Sequence, residues 1–505
     1  MIPNLAQLGE RARISGDHPA LFAAGRVINY RDLASRVSEA ERGLGTLGVG
    51  SGDVIAVLLE NGLAFAEILH AAAQRGATLL PMNVRLTPRE LSFQLEESGA
   101  RVLIHESGRL ADLAAKSAAL IDASRTLDRI EVDPEEAPAL ASVSAASSSA
   151  AAARIETPAE RAPIDPARAL ALVYTSETTG SPKGALLSQR NLFWSAIGSA
   201  MHLGVVPEDR WLVCMPLFHV GGFSILLRSA LYGSGAILHE GFDPDAVNRA
   251  LDEDGVTLVS WVPTMLERVL AARGGRRAPR SLRCVLLGGG PAPRELLDRA
   301  RSQGFPIAAT YGLTEASSQV ATQLPTLAES AGVSGLRPLF GTELNTVDED
   351  GKSVRGRPGE IVVRGPTVMD GYWNRAEQTA QALRGGWLHT GDIGVLDSTG
   401  ALEVLDRRCD LIISGGENIY PTEIEMVLLQ HPAVIEAAVA GRADADYGRQ
   451  PIAWLVAAPG RRLDPAEIQR FCVDRLAGYK IPVAFTIVDA LPRNSMGKLI
   501  RERIA

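Results

Sequence analysis

The sequence predicts an α/β protein with a large N-terminal part, an antiparallel or barrel-like portion and a small α+β C-terminal domain. Three observations carry this. Short apolar runs alternate with helical segments over most of the first 360 residues, short strands separated by turns follow up to about residue 407, and the tail then reads helix, strand, strand, helix, strand. At 505 residues the chain exceeds what one core usually serves, so two to four domains are expected.

The alternation opens between Leu21 and Ile104, where Val54–Leu59 and Ala77–Pro81 read as buried strands and Arg31–Leu47 and Ala64–Gln74 as helices. From Glu131 to Pro166 an Ala, Ser, Pro and Glu bias supplies few large apolar groups, which predicts a mobile surface connector. The strand-loop-helix rhythm resumes at Ala169–Thr175 before Gln189–Ala200, at Val256–Trp261 before Thr264–Arg273, and at Cys284–Leu287 before Arg294–Gln303. Such repetition predicts largely parallel sheets covered by helices. Around Glu360–Arg364 and Trp387–Arg407 the turn Asp397-Ser-Thr-Gly400 marks the antiparallel portion.

A net charge of −8 argues against an extended footprint on nucleic acid or on an anionic membrane, both of which select clustered Lys and Arg. The four cysteines, Cys214, Cys284, Cys409 and Cys472, are too widely spaced for a metal knuckle and are read as reduced thiols. With no basic-then-apolar start and no uninterrupted apolar stretch of membrane-spanning length, a cytoplasmic protein is expected. Oligomeric state is left open, with a homodimer as one option.

The segment Tyr174-Thr-Ser-Glu-Thr-Thr-Gly-Ser-Pro-Lys-Gly184 follows an apolar strand and offers hydroxyls, glycines and a lysine within one loop. Those groups suit a polyphosphate, because hydroxyl and backbone N–H donors surround its oxygens and Lys183 adds charge. It is not a Walker A loop, since GxxxxGK[ST] is absent. The segment resembles the signature YTSGTTGxPKG of the adenylate-forming superfamily, which includes acyl-CoA synthetases, peptide-synthetase adenylation domains and beetle luciferases. Glu177 stands where that signature has glycine. A Cβ forced into a left-handed turn costs about 1 to 2 kcal/mol, and a carboxylate beside a triphosphate adds repulsion, so weakened ATP binding is expected unless Glu177 turns outward or shares the magnesium ion, and an unchanged Michaelis constant for ATP in Glu177→Gly refutes the penalty.

Further matches run in the family's order. Leu287-Gly-Gly-Gly-Pro-Ala292 resembles the stretch bordering adenine, which implies nucleotide contacts at Gly288, Gly289, Pro291 and Ala292. Thr310-Tyr-Gly-Leu-Thr-Glu315 is similar to the motif that places a tyrosine near adenine, a threonine near the phosphates and a glutamate on Mg²⁺. The implied residues are Tyr311, Gly312, Thr314 and Glu315, and one carboxylate with phosphate oxygens suits that ion. Asp392, closing Trp387-Leu-His-Thr-Gly-Asp392, resembles the ribose-binding aspartate. In the segment from Asp406 to Pro421, the resemblance implies Arg407 at the ribose or phosphate, Cys409 at the hinge, and Gly415 and Gly416 beside the coenzyme A channel. Lys498, in Pro492-Arg-Asn-Ser-Met-Gly-Lys498, resembles the lysine that neutralises charge during adenylation.

The resemblance covers nearly the whole chain, from Tyr30 to Arg501. It implies two α/β subdomains plus a β-barrel-like portion over residues 1–406 and a small mobile α+β domain over 407–505. It also implies ATP, Mg²⁺ and coenzyme A, and a two-step reaction in which an acid is adenylated and then passed to a thiol. Lys498, Glu315, Thr175 and His219 form the implied catalytic set, with Thr175, Ser176, Thr178, Thr179, Gly180 and Lys183 around the phosphates. Met215-Pro-Leu-Phe-His-Val-Gly-Gly222 resembles the acyl-pocket motif, and His219 stands where amino-acid-activating relatives carry aspartate.

Several longer strings are similar to the o-succinylbenzoate-CoA ligases of menaquinone biosynthesis, although Gly221 replaces a serine common there. A substrate of that kind calls for a flat apolar slot with a basic or hydroxyl group at one end. His219, Gly221, Gly222, Arg85, Gly290 and Ser317 or Ser318 are the expected pocket residues. An aryl- or medium-chain acid ligase is the alternative, and a catalytically silent adenylate binder, suggested by Glu177, is the reading from another class.

Overall fold

The computed structural model describes residues 8–122, 127–133, 165–175, 182–290, 292–324, 335–406, 412–492 and 504. Two mainly parallel sheets organise the large domain. Among the described residues the first has seven strands, in the order Gly371–Tyr372, Lys183–Ser188, Ala169–Thr175, Thr78–Pro81, Val54–Leu58, Val102–Glu106 and Asp128–Val132. The second has nine, running from Arg337–Pro338 through Ser318–Thr322, Ile307–Leu313, Cys284–Leu287, Leu258–Trp261, Arg210–Val213, Gly235–Leu238 and Pro19–Ala23 to Arg26–Asn29. Central strands such as Val54–Leu58 and Leu258–Trp261 are buried along their whole length, because helices cover both faces of a parallel sheet and leave no side for water.

The helices begin and end where local chemistry dictates. Asn29 caps Tyr30–Thr46 by accepting from the Asp32 N–H, and Thr87 with Glu90 forms a reciprocal capping box on Pro88–Ser98. Gly76 ends Leu63–Arg75 in the left-handed conformation at φ +70°, which a side chain would resist. The expected helices Arg31–Leu47 and Ala64–Gln74 match Tyr30–Thr46 and Leu63–Arg75 to within one residue at each end, whereas the expected Gln189–Ala200 stops three residues short of Leu203.

A third sheet is antiparallel and includes Glu343–Val347, Gly359–Arg364, Trp387–Leu396 and Leu402–Asp406. The small domain holds Ile412–Ser414, Glu417–Ile419, Val434–Asp444, Gly448–Ala457 and Phe485–Ile487 in one sheet, with helices Pro421–Leu428 and Pro465–Val473. Its opening hairpin, turned by Gly415 and Gly416, precedes the first helix and is absent from the expected element order. Two strands of three residues are too short to register as a hydrophobic period.

Residues 134–164, the bulk of the expected connector, lie outside the described residues. Cys214, Cys284 and Cys472 are free and buried, and burial pushes the thiols of Cys214 and Cys284 up to about 12, so both stay protonated.

Candidate active site

The strand Ala169–Thr175 and its antiparallel neighbour Lys183–Ser188 fix both ends of the hydroxyl-rich loop, with Thr175 paired to Lys183 and its hydroxyl donating to the Lys183 carbonyl at 3.4 Å. Lys183 is buried, and its ammonium lies 5.2 Å from the centre of the Tyr372 ring. Ser176, Glu177, Thr178, Thr179 and Gly180 lie outside the described residues. So do Pro291, Arg407, Cys409 and Lys498.

The strand Ile307–Leu313 delivers the next group. A bulge between Tyr311 and Gly312 turns the backbone so closely that a Cβ on Gly312 would lie 1.8 Å from the Ser318 carbonyl. The 3₁₀ turn Thr314–Ala316 follows, and the Glu315 carboxylate accepts from the Tyr372 hydroxyl at 3.0 Å. Tyr311 is buried behind this wall and donates its hydroxyl to Asp392 at 2.7 Å, which orients a carboxylate contributed by the antiparallel sheet. Gly288 and Gly289 continue the wall after strand Cys284–Leu287; Gly289 has φ +81°, and a Cβ on Gly288 would come 2.7 Å from Thr310.

All of these surround one cavity of about 550 Å³, lined by Thr175, Lys183, Gly288, Gly289, Gly312, Thr314, Glu315 and Asp392, and also by His219 and Gly221. Residues from distant parts of the chain thus converge on one space. Glu315 lines this cavity together with Lys183, and one carboxylate of this kind fits Mg²⁺ carried on a nucleotide and leaves other positions to phosphate oxygens and water.

Asn61 holds the Met215–Gly222 loop in place, donating to the carbonyls of Met215 at 2.9 Å and His239 at 3.2 Å and accepting from the Leu217 N–H at 2.8 Å. Gly222 permits a close backbone approach, since a Cβ there would meet the Pro216 carbonyl at 2.2 Å, whereas Gly221 faces the cavity. Ser317 is fully buried and donates to the Thr367 carbonyl at 2.8 Å, so the hydroxyl on the cavity wall is that of Ser318. Gly290 and Ala292 are not on that wall; a Cβ on Gly290 would touch Ile413 of the small domain at 3.0 Å, and Ala292 packs against the core beneath the second sheet.

Arg85 is also placed elsewhere than the sequence suggests. Its guanidinium is half exposed, pairs with Glu417 of the small-domain hairpin at 3.1 Å, and borders a second cavity of about 90 Å³ with His219, Gly415 and Gly416. Glu417 also faces His219 Nε2 at 3.3 Å. Burial alone would push the Glu417 carboxyl up, but His219, Arg85 and Lys480 outweigh it and hold the group below its ordinary range.

The basic group missed by sequence reasoning is Arg228. It sits on the apolar helix Val220–Tyr232, lines the main cavity with Ser260, Trp261 and Gln319, and is only 2 % exposed. Nη2 donates to Ser195 Oγ at 3.2 Å, while Nε has no partner, and no carboxylate pairs with Arg228 among the described residues. A buried guanidinium without an anion is costly, so an anionic ligand is the natural complement. One signal was available: Arg228 is the sole charged residue of an otherwise apolar helix that starts beside His219.

Comparison with known proteins agrees with this geometry. Residues 8–373 match the family described as AMP-binding enzyme, and residues 423–498 match the AMP-binding enzyme C-terminal domain. The chain is 41 % identical over 498 residues to the 2-succinylbenzoate–CoA ligase of Geobacillus kaustophilus, covering 98 % of this chain and 96 % of that one. A double mutant of Bacillus subtilis o-succinylbenzoate CoA synthetase bound to the product analogue OSB-NCoA superimposes with a TM-score of 0.87 at 37 % identity, covering 99 % of this chain and 98 % of the other. The B. subtilis enzyme bound to the acyl-adenylate OSB-AMP gives 0.71 at 38 % identity and the same coverage, and its complex with ATP and magnesium ion also gives 0.71 at 38 %, covering 99 % of both chains. The chain belongs to the AMP-binding enzyme family of AMP-forming acyl-CoA ligases, with that family's large N-terminal and small C-terminal domains.

Proposed function

We propose that the chain ligates 2-succinylbenzoate to coenzyme A with ATP, as a step of menaquinone synthesis. A carboxylate is a poor electrophile because its leaving group would be oxide. An acid oxygen therefore attacks the α-phosphorus, the bond to the bridging oxygen breaks, and pyrophosphate departs with Mg²⁺. Lys183, Glu315 through the metal, and Lys498 offset the charge that builds on the phosphate oxygens, each such contact contributing about 3 to 4 kcal/mol to the transition state. We assign Thr175, Ser176, Thr178, Thr179 and Gly180 to the phosphates, Gly288, Gly289 and Pro291 to the adenine side, and Asp392 and Arg407 to the ribose.

In the second step the coenzyme A sulfur attacks the acyl carbon, its proton passes to solvent, and AMP leaves. The second cavity beside Gly415 and Gly416 supports the entry of the thiol at His219. We place the domain boundary at 406/407 and the pivot at Cys409. The contrast between two superpositions supports a small domain that turns between the half-reactions. The B. subtilis enzyme fits this chain at 0.87 as a double mutant with a product analogue and at 0.71 with the adenylate, as expected if the present domain arrangement is the thioester-forming one.

The observation that carries the choice of acid is Arg228, a buried cation on the cavity wall beside the apolar surfaces of Val220, Trp261 and Leu286. Such a slot suits an aromatic acid with a second carboxylate, and not a monocarboxylic fatty acid. Free-thiol loss measured with 2-succinylbenzoate, substituted benzoates and medium-chain acids tests it. A higher kcat/KM for a monocarboxylic acid would overturn the assignment, and absence of acid-dependent ATP–pyrophosphate exchange would favour a silent binder.

No helix among the described residues is long and apolar enough to cross a membrane. A cytoplasmic location, where ATP and coenzyme A are at hand, belongs to the same proposal; a homodimer is tested by light scattering.

A further inference from the structure

The stretch Asn83–Glu90 of the large domain meets the small domain through three polar contacts separate from the nucleotide motifs. The Asn83 amide donates to the Tyr479 hydroxyl at 3.4 Å, Arg85 pairs with Glu417 at 3.1 Å, and Lys480 donates to Glu90 Oε1 at 2.7 Å. The charges are reciprocal, since a large-domain cation meets a small-domain anion and a large-domain anion then meets a small-domain cation. Such an arrangement fixes register as well as attraction.

Glu90 is preset for its partner. Its Oε2 accepts from the Thr87 N–H and hydroxyl, both at 2.8 Å, which leaves Oε1 aimed across the seam. The Lys480 side chain is 4 % exposed and also donates to Glu423 Oε1 at 2.7 Å. A buried ammonium is tolerated only when paired, and against burial the surrounding groups keep this one charged. Glu423 belongs to helix Pro421–Leu428 and travels with Lys480 whenever the small domain turns, whereas Glu90 stays on the large domain. Of the two carboxylates on Lys480, therefore, only Glu90 can sense the orientation.

We propose that Asn83–Glu90 is a dock that holds the small domain in its thioester-forming orientation, with Glu90 and Lys480 as the positioning pair. It rests on the two-step reading above and adds residues that govern one half-reaction without touching the reacting atoms.

Glu90→Gln tests it, because the amide oxygen can still cap helix Pro88–Ser98 while the charge across the seam is lost. Acid-dependent ATP–pyrophosphate exchange with 2-succinylbenzoate is expected within about twofold of the parent, while thioester formation from preformed adenylate slows about tenfold. In parallel, energy transfer between labels on cysteines introduced at the exposed positions Val27 and Ile435, one per domain, is expected to shift toward a second population in the full-length variant. An unchanged energy-transfer distribution, or an equal fall in both half-reactions, overturns the proposal. If the parent shows no exchange with 2-succinylbenzoate, the assigned function fails while energy transfer still decides the dock.

Discussion

At the scale of single residues, the proposed acid pocket turns on Arg228, a buried charge with no carboxylate paired to it among the described residues. Replacing Arg228 with methionine keeps the length and removes the cation, so kcat/KM for 2-succinylbenzoate is expected to fall by about 30-fold or more, equivalent to about 2 kcal/mol. A benzoate without a second carboxylate should change by less than about threefold, since it makes no use of the guanidinium. Comparing the two substrates in one variant separates lost recognition from lost folding. The lysine proposed for adenylation has the converse signature: Lys498→Ala is expected to slow acyl-adenylate formation by about 100-fold or more while sparing thioester formation from supplied adenylate. Single-turnover measurements of each half-reaction check it. Residue-level legibility was uneven for a physical reason. Lys183, Glu315 and Asp392 were readable because glycines and hydroxyls beside them in sequence mark their loops, but Arg228 acquires its character only when a whole helix is buried around it. Sequence alone offers Arg85 as the basic end of an acid slot, since its partner Glu417 lies 332 residues away and no local pattern announces the pair.

At the scale of elements, position depends on a few close backbone approaches. Gly312→Ala would drive a methyl into the Ser318 carbonyl, an obstacle made of backbone and unable to move aside. The expected cost is about 2 to 3 kcal/mol in urea unfolding, with weakened ATP binding because the bulge sets Glu315. Gly221→Ser is the contrasting case. The nearest atom to the new Cβ is the Met215 methyl at 3.4 Å, an ordinary contact, so stability should hold while the Michaelis constant for the acid changes. Parallel strands and their helices were legible from period and punctuation alone. The hairpin Ile412–Ile419 was not, because its strands of three residues are too short to show a period, and its contacts, Val262 beside Gly416 and His219 beside Glu417, lie on the other domain.

For the whole molecule, a buried histidine sets a limit in acid. His70 lies on helix Leu63–Arg75 within the main core, and burial lowers its pKa to about 4 from an ordinary 6.5. The unfolded chain then binds a proton between those values that the folded chain refuses, so stability is complete above pH 6.5 and declines as the pH falls toward 4. Between pH 7 and pH 5 this one group accounts for about 2 kcal/mol. His70→Leu should flatten the decline by that amount, as read from urea midpoints at the two pH values.

Arg228 has one more consequence. Because no described residue supplies its countercharge, an anionic ligand completes the electrostatics of this site, and resistance to heat becomes a report on what the protein binds. At a hundredfold excess over the dissociation constant, a ligand that recognises only the folded form raises stability by about 2.7 kcal/mol. A dicarboxylic aromatic acid should therefore raise the melting temperature without ATP or coenzyme A, and in Arg228→Met that rise should vanish, so a thermal-shift screen can rank candidate acids before any catalysis is measured.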